Sequence, residues 1–304
     1  MKYLLFFSLI LFIVACGGSG TQTEEAQQEP MQSDASAQSI NVNIEEEWAT
    51  DTIMRTPESV LYDDESDMIF VANIGTFTAD SKDGDGFISV LAPDGVVESL
   101  KWVEGLNDPK GMGIFDGKLY VADLNEIVEI DIEGAEIANK YPIEGAVFLN
   151  DITVNGDGQV YVSDSETDKI HMLENGQVST WMEDASLERP NGLLAEDDQM
   201  LLASAEGGFL APIDLDSMQV QEAWLENIPS ADGIIKTKDG NYIVSTWSGE
   251  VHYVDAKNNQ TQKLLDTKDQ EINSADIGYI PGQDLLLVPT FNDHRIVAYK
   301  ISMN

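Results

Sequence analysis

Six side chains at one recurring position of the chain are the candidates for chemistry. Three phrases, LNDITVNGDGQVYVSD from Leu149, PNGLLAEDDQMLLAS from Pro190 and ADGIIKTKDGNYIVST from Ala231, each begin with a small or apolar residue followed by one polar side chain. Those side chains are Asn150, Asn191 and Asp232, at a constant interval of 41 residues. The same slot holds Lys110 in DPKGMGIFDGKLYVAD, Glu58 in TPESVLYDDESDMIFVAN and Asp276 in SADIGYIPGQDLLLVPT. Charges and amides in such a slot are costly to bury unless they are paired or bound to something. Glu58, Asn150, Asn191 and Asp232 together offer two carboxylates and two amide carbonyls, with no thiol or imidazole. An oxygen-only set suits a hard cation of flexible geometry, so calcium is the expected ion, with another divalent cation as the alternative. A hydrogen-bonded plug of side chains and water is the other arrangement open to these residues.

The elements that position them are strands. Each phrase continues as an alternating apolar strand, a Gly or Asp turn and a second strand. A fixed period of about 40 residues containing strands and turn signals is the mark of a β-propeller blade. The six phrases predict an all-β, six-bladed β-propeller with four-stranded blades. Asp94-Gly95, Asp116-Gly117, Asp157-Gly158, Asn175-Gly176 and Asp239-Gly240 mark its hairpin turns. The first strand of every blade lines the central channel, so the slot residues are expected to form a ring at one mouth. Third strands are expected at 126–130, 169–173, 209–214 and 250–255. The longer interval of 52 residues between Glu58 and Lys110 is assigned to an extended loop, TFTADSKDGDGF, between second and third strands. Residues 48–55 are expected to close the ring by pairing with the last blade, whose strands are read at 284–290 and 295–301. Loops after the second strands open on the face of the ring. Asn73, Asp123, Asp164, Glu206, Trp247 and residues 291–294 are therefore expected around it, with Trp247, His294, Asp276 and Asp123 as candidate substrate-binding residues.

Composition narrows the partners. Sixteen basic against 55 acidic residues in a chain of 304 give a net charge of −39, which argues against nucleic acid and against anionic lipid surfaces. Residues 1–15 read as a signal peptide, with Lys2 ahead of a short apolar run. The run ends in Ile13-Val14-Ala15-Cys16, which resembles a bacterial lipobox and implies cleavage before Cys16 and lipidation of its thiol. Cys16 is the only cysteine, so no disulfide can form within the chain. Residues 16–45, rich in acidic, Gln and Ser residues, read as a flexible tether, leaving 46–304 for the propeller. Gly17 after the cysteine favours the outer membrane, by the sorting habit of the lipoproteins it resembles. The membrane is then met only through the lipid anchor, and a monomer is expected.

The PESV that holds Glu58, the LNDI at Leu149, the PNGL at Pro190 and the ADGI at Ala231 occur in that order, one per blade. Together they resemble the gluconolactonase/regucalcin (senescence-marker-protein-like) family, and LNDI is also similar to paraoxonases. The likeness covers most of residues 48–301. It implies a central calcium held by Glu58, Asn150, Asn191 and Asp232, and a small-molecule lactone or related ester as substrate. The implied reaction is metal-assisted hydrolysis, with Asp232 as candidate base and Lys110 as a donor to the oxyanion. Lys110 could instead pair with Glu58 or Asp276, or substitute electrostatically for the metal. Phe148-Leu149 stands where many sugar lactonases carry an arginine phrase, which shifts the expected substrate from a sugar acid to a more apolar ester or lactone. Asp151 is expected to turn from the channel and brace its blade. The alternative function is a non-catalytic propeller, similar to NHL-type repeats, that binds a ligand or protein on its top face.

Overall fold

Burial along the strands is graded from the channel outward, and the sequence pattern follows the grading. Inner and middle strands are nearly unbroken apolar runs, such as Met68–Asn73 and Val160–Asp164. Outermost strands such as Val97–Leu106 and Glu136–Pro142 alternate half-buried and charged, exposed positions. Strands buried on both faces need continuous hydrophobicity, whereas charged edge strands resist pairing with other chains. In the computed structural model, residues 40–77 and 82–303 are described, and they form six antiparallel sheets arranged as a closed β-propeller. The signal peptide, Cys16 and the tether up to residue 39 lie outside the described residues, as do residues 78–81 of the long loop.

The inner strands are Pro57–Asp63, Pro109–Phe115, Leu149–Val154, Pro190–Ala195, Ala231–Lys236 and Gly278–Ile280, numbered here as blades one to six. Third strands Glu126–Asp131, Lys169–Glu174, Phe209–Asp214 and Glu250–Asp255 fall where the sequence predicts them. In blade four the outermost strand is interrupted, and Gln219–Val220 and Leu225–Glu226 pair separately with Phe209–Asp214.

The closing strand is earlier than expected. Val42–Ala49 pairs antiparallel with Ile296–Met303 and supplies the outermost strand of blade six. It therefore begins inside the stretch read as tether, and residues 51–55 are a turn that buries Met54 rather than part of the strand. The acidic run Glu45-Glu46-Glu47 disguises the strand, because ahead of Trp48 only Val42 and Ile44 signal an apolar face. Val42 is 2% exposed, and Gln262 of blade five bonds both its N–H (3.0 Å) and its carbonyl (2.7 Å).

The core is divided among the blade interfaces. One apolar cluster joins blades one and two through Phe70, Ile88, Met112 and Leu119, and others repeat this at every successive interface. The last cluster packs Val60 and Ile69 of blade one on Leu285 and Leu287 of blade six, so the ring is closed by side chains as well as by strand pairing.

Candidate functional site

A bulge falls at the polar slot in the first five inner strands, and in blade one the extra residue is Glu58 itself. Leu149 pairs with Asp164 and Ile152 with Val162, so one extra residue is accommodated immediately after Asn150. The same shift occurs at Pro109/Met112, Pro190/Leu193 and Ala231/Ile234. A bulge re-aims the side chains around it and frees a backbone amide. Serines on the middle strands take up such amides: Ser163 Oγ accepts from Asp151 N at 2.9 Å and Ser245 Oγ from Gly233 N at 3.0 Å. Gly111, Gly192 and Gly233 follow the slot because the next blade is too close for a side chain. A Cβ on Gly192 would lie 1.9 Å from the Asp232 carbonyl oxygen.

The loops leading into the slots are clamped from the second strands. Asn73 Oδ1 accepts from Arg55 N at 2.9 Å, Asp123 Oδ1 from Asp108 N at 2.8 Å, and Asp164 Oδ1 from Phe148 N at 2.9 Å. These three side chains were expected around the ring; they are fully buried and face the backbone instead. Position in the strand is the reason. Each ends a strand beside the amides that lead into the slot of its own blade, and an uncompensated buried amide is costly.

A cavity of about 320 Å³ sits at the mouth of the channel. Glu58, Lys110, Asn150, Asn191 and Asp232 line it, so five of the six slot residues converge from five blades. Glu58 Oε2, Asn191 Oδ1 and Asp232 Oδ1 are buried there without a hydrogen-bond partner. Asn150 is fixed by its amide nitrogen, which donates to Ser165 Oγ at 3.3 Å. Burial pushes the Glu58 carboxyl up to about 8, with the Lys110 charge opposing and the Asp276 charge adding to the shift. Asp232 is held well above the usual carboxylate range by burial first and then by Glu58, Asp276 and Asp151. Among the described residues no group of three His, Cys, Asp or Glu side chains is placed to hold a metal. The set that fits a cation here mixes carboxylates with amides, which is the donor chemistry calcium accepts.

Lys110 is 3% exposed, with Nζ 4.8 Å from the centroid of the Phe148 ring and 3.5 Å from the Asp108 carbonyl oxygen. It makes no ion pair with Glu58 or Asp276. Asp276 does not line the cavity. Its carboxylate accepts from Ser59 Oγ at 2.5 Å and faces a second cavity of about 350 Å³ further along the channel, shared with Asp151. Burial raises Asp276 to about 7 against the pull of that hydrogen bond. Asp151 Oδ2 accepts from Leu193 N of the next blade at 2.7 Å, which ties blade three to blade four.

His294 is also away from the cavity, because its Nδ1 accepts from Thr56 N at 3.2 Å and ties the last blade to the first. Trp247 does line it, 39% exposed, and its ring meets Phe291 edge-on at 5.4 Å. Phe291 meets Phe77 in the same way at 5.5 Å. Arg189, Phe77 and Ser230 were not singled out from sequence, yet all three line the cavity. The available signal for Arg189 was its place directly before the Pro190-Asn191 phrase. Arg189 and Phe291 both adopt positive φ, 64° and 46°, a strained choice for such side chains and one that concentrates at functional sites.

No protein-family model and no curated protein matches the chain. Solved structures similar to it include a streptogramin B lyase, at 13% identity over 87% of this chain and 98% of that one, with a TM-score of 0.60. A catalytically inactive virginiamycin B lyase from Staphylococcus aureus with quinupristin is similar at 12% identity, 86% and 99% coverage and a TM-score of 0.59. A chain of a nidogen/laminin complex follows at 15% identity, 73% and 84% coverage and a TM-score of 0.59. At such identities the likeness establishes the propeller fold and nothing about chemistry.

Proposed function

We propose that the chain is a calcium-dependent hydrolase of a lactone or related ester, acting in the cavity at the channel mouth. One observation carries the proposal: three oxygens from three blades, on Glu58, Asn191 and Asp232, are buried unpartnered around a single cavity. Leaving one buried acceptor unsatisfied costs about 1–3 kcal/mol, and more when it is charged. A cation held by Glu58, Asn150, Asn191 and Asp232 removes that cost. When bound, it supplies Lewis-acid polarisation of the substrate carbonyl.

The protein's own groups account for the proton movements. Asp232 takes a proton from the attacking water through the carboxylate oxygen that does not hold the cation. Water oxygen bonds to the carbonyl carbon, the ring or ester C–O bond breaks, and the proton passes to the departing alkoxide. Lys110 donates toward the carbonyl oxygen as charge develops on it. The resemblance of the four ordered phrases to gluconolactonase/regucalcin proteins supports the same reading, as does the apolar character of Phe148 at the cavity wall.

A screen of lactones and aryl esters tests it, with calcium present and after chelation. Activity should vanish on chelation and return on adding calcium, and Asp232→Asn should be inactive while folded. Full activity in the chelated protein would remove the metal mechanism. Lys110 favours a second reading, in which its ammonium offsets the carboxylates and the propeller binds a ligand without turnover. Loss of hydrolysis in folded Glu58→Ala argues against that reading. The proposal includes a location: Cys16 carries a lipid that anchors the protein in the bacterial envelope, at the outer membrane, as a monomer. Palmitate labelling that persists in Cys16→Ser would exclude the anchor.

A further inference from the structure

The cavity has two unlike walls. Phe77, Phe291 and Trp247, from blades one, six and five, form a chain of edge-on ring contacts along one side. Phe77 is 49% and Trp247 39% exposed, so broad apolar surface is left uncovered at the rim. Large exposed aromatic surface beside a concave site is the usual seat of a ligand's apolar body. From blades two and four come the cations Lys110 and Arg189. Arg189 pairs at 2.8 Å only with Glu166, and both partners are about half exposed, so the pair is weak and easily exchanged. Lys110 is buried and forms no close ion pair among the described residues, although its charge acts on the Glu58 and Asp108 carboxylates; its one hydrogen bond is the long contact to the Asp108 carbonyl. A buried ammonium with unused donors, aimed into a cavity and steadied over the Phe148 ring, is an anion receptor.

We propose that the ligand of this cavity is an amphipathic anion, whose carboxylate-like group is received by Lys110 and Arg189 and whose apolar body lies on the Phe77–Phe291–Trp247 wall. The charge count supports it. With Glu58 and Asp232 neutralising a dication and Arg189 shared with Glu166, the Lys110 ammonium leaves the cavity positive in a chain whose net charge is −39. The inference takes the bound dication and the name of substrate from the hydrolase reading; anion binding itself needs no turnover.

The test is calorimetric titration of the calcium-loaded protein with hydrocinnamate, with its uncharged isostere hydrocinnamamide, and with acetate. Hydrocinnamate should bind about tenfold or more tightly than either, the ratio one charge-assisted hydrogen bond supports. Lys110→Met should abolish the preference for the carboxylate over the amide, and Arg189→Gln, at an exposed site that leaves folding intact, should reduce it. Trp247→Ala should weaken hydrocinnamate and leave acetate unchanged. Equal affinity for hydrocinnamate and hydrocinnamamide overturns the proposal. So does a preference that survives both charge substitutions and disappears only on chelation, because the anion would then sit on the cation alone. Selective hydrocinnamate binding by a protein that hydrolyses no ester refutes the hydrolase reading and leaves this one standing. Hydrolysis of neutral esters without anion preference does the reverse.

Discussion

Glu58 and Asp276 keep their protons toward neutral pH because burial outweighs the charges and hydrogen bonds around them, at about 8 and about 7. Their ordinary values are 4.5 and 3.8, so the folded chain binds more protons than the unfolded one between those limits. The stability this contributes is fully present below the ordinary values and is lost as pH rises through the folded ones. Chelated protein should therefore show a melting temperature that falls between about pH 5 and about pH 8. Calcium should flatten part of that fall, since binding displaces the proton of Glu58 while Asp276 lies outside the ligand set. A melting profile that is level with pH without calcium would contradict the burial of these acids. Asp232→Asn removes one of the two carboxylates from the ligand set and should weaken calcium by at least about tenfold. The readout is the calcium-induced shift in melting temperature. These residues were legible in the sequence because the period repeats them. Arg189 was not, because its place in the cavity depends on a left-handed backbone that no spacing reveals.

At the scale of the strand, the recurring bulge positions the site, and the glycines after the slot permit it. Gly192→Ala forces a methyl group to within 1.9 Å of the Asp232 carbonyl oxygen. It should cost about 1–3 kcal/mol of stability, as overpacking does, and displace Asp232 so that calcium affinity falls with it. Gly156→Ala is the control, because nothing lies within 4 Å of the added atom and its φ is not positive. Denaturant unfolding and calcium titration of both variants separate the two effects. The strand ends teach a related lesson. Asn73, Asp123 and Asp164 share one position per blade, as the slot residues do, yet they bond the amides that lead into the slots. Periodicity locates a polar side chain without saying whether backbone or ligand receives it.

Across the whole molecule, closure depends on Val42–Ala49 completing blade six. Without it, Ile296–Met303 would present an open edge, and the cluster holding Val42 and Ile301 would lose part of its cover. A chain truncated before Thr50 should aggregate or unfold at markedly lower denaturant, whereas the longer chain stays monodisperse in size-exclusion chromatography. An unchanged unfolding midpoint in the truncated chain would show the closing strand to be dispensable.

Taken by itself, the sequence determined the number of blades, the strand order within them and which residues enter the channel, because all three follow from a repeat that local alternation and turn chemistry express directly. The tertiary structure alone decided which polar residues meet. It turned Asp276 to Ser59 and His294 to the Thr56 amide, brought Arg189 and Phe77 over the slot, and drew the closing strand from an acidic stretch. Those outcomes arise from contacts between blades that are distant in sequence. Close approach and the need to satisfy buried amides settle them, and a single repeat does not encode either.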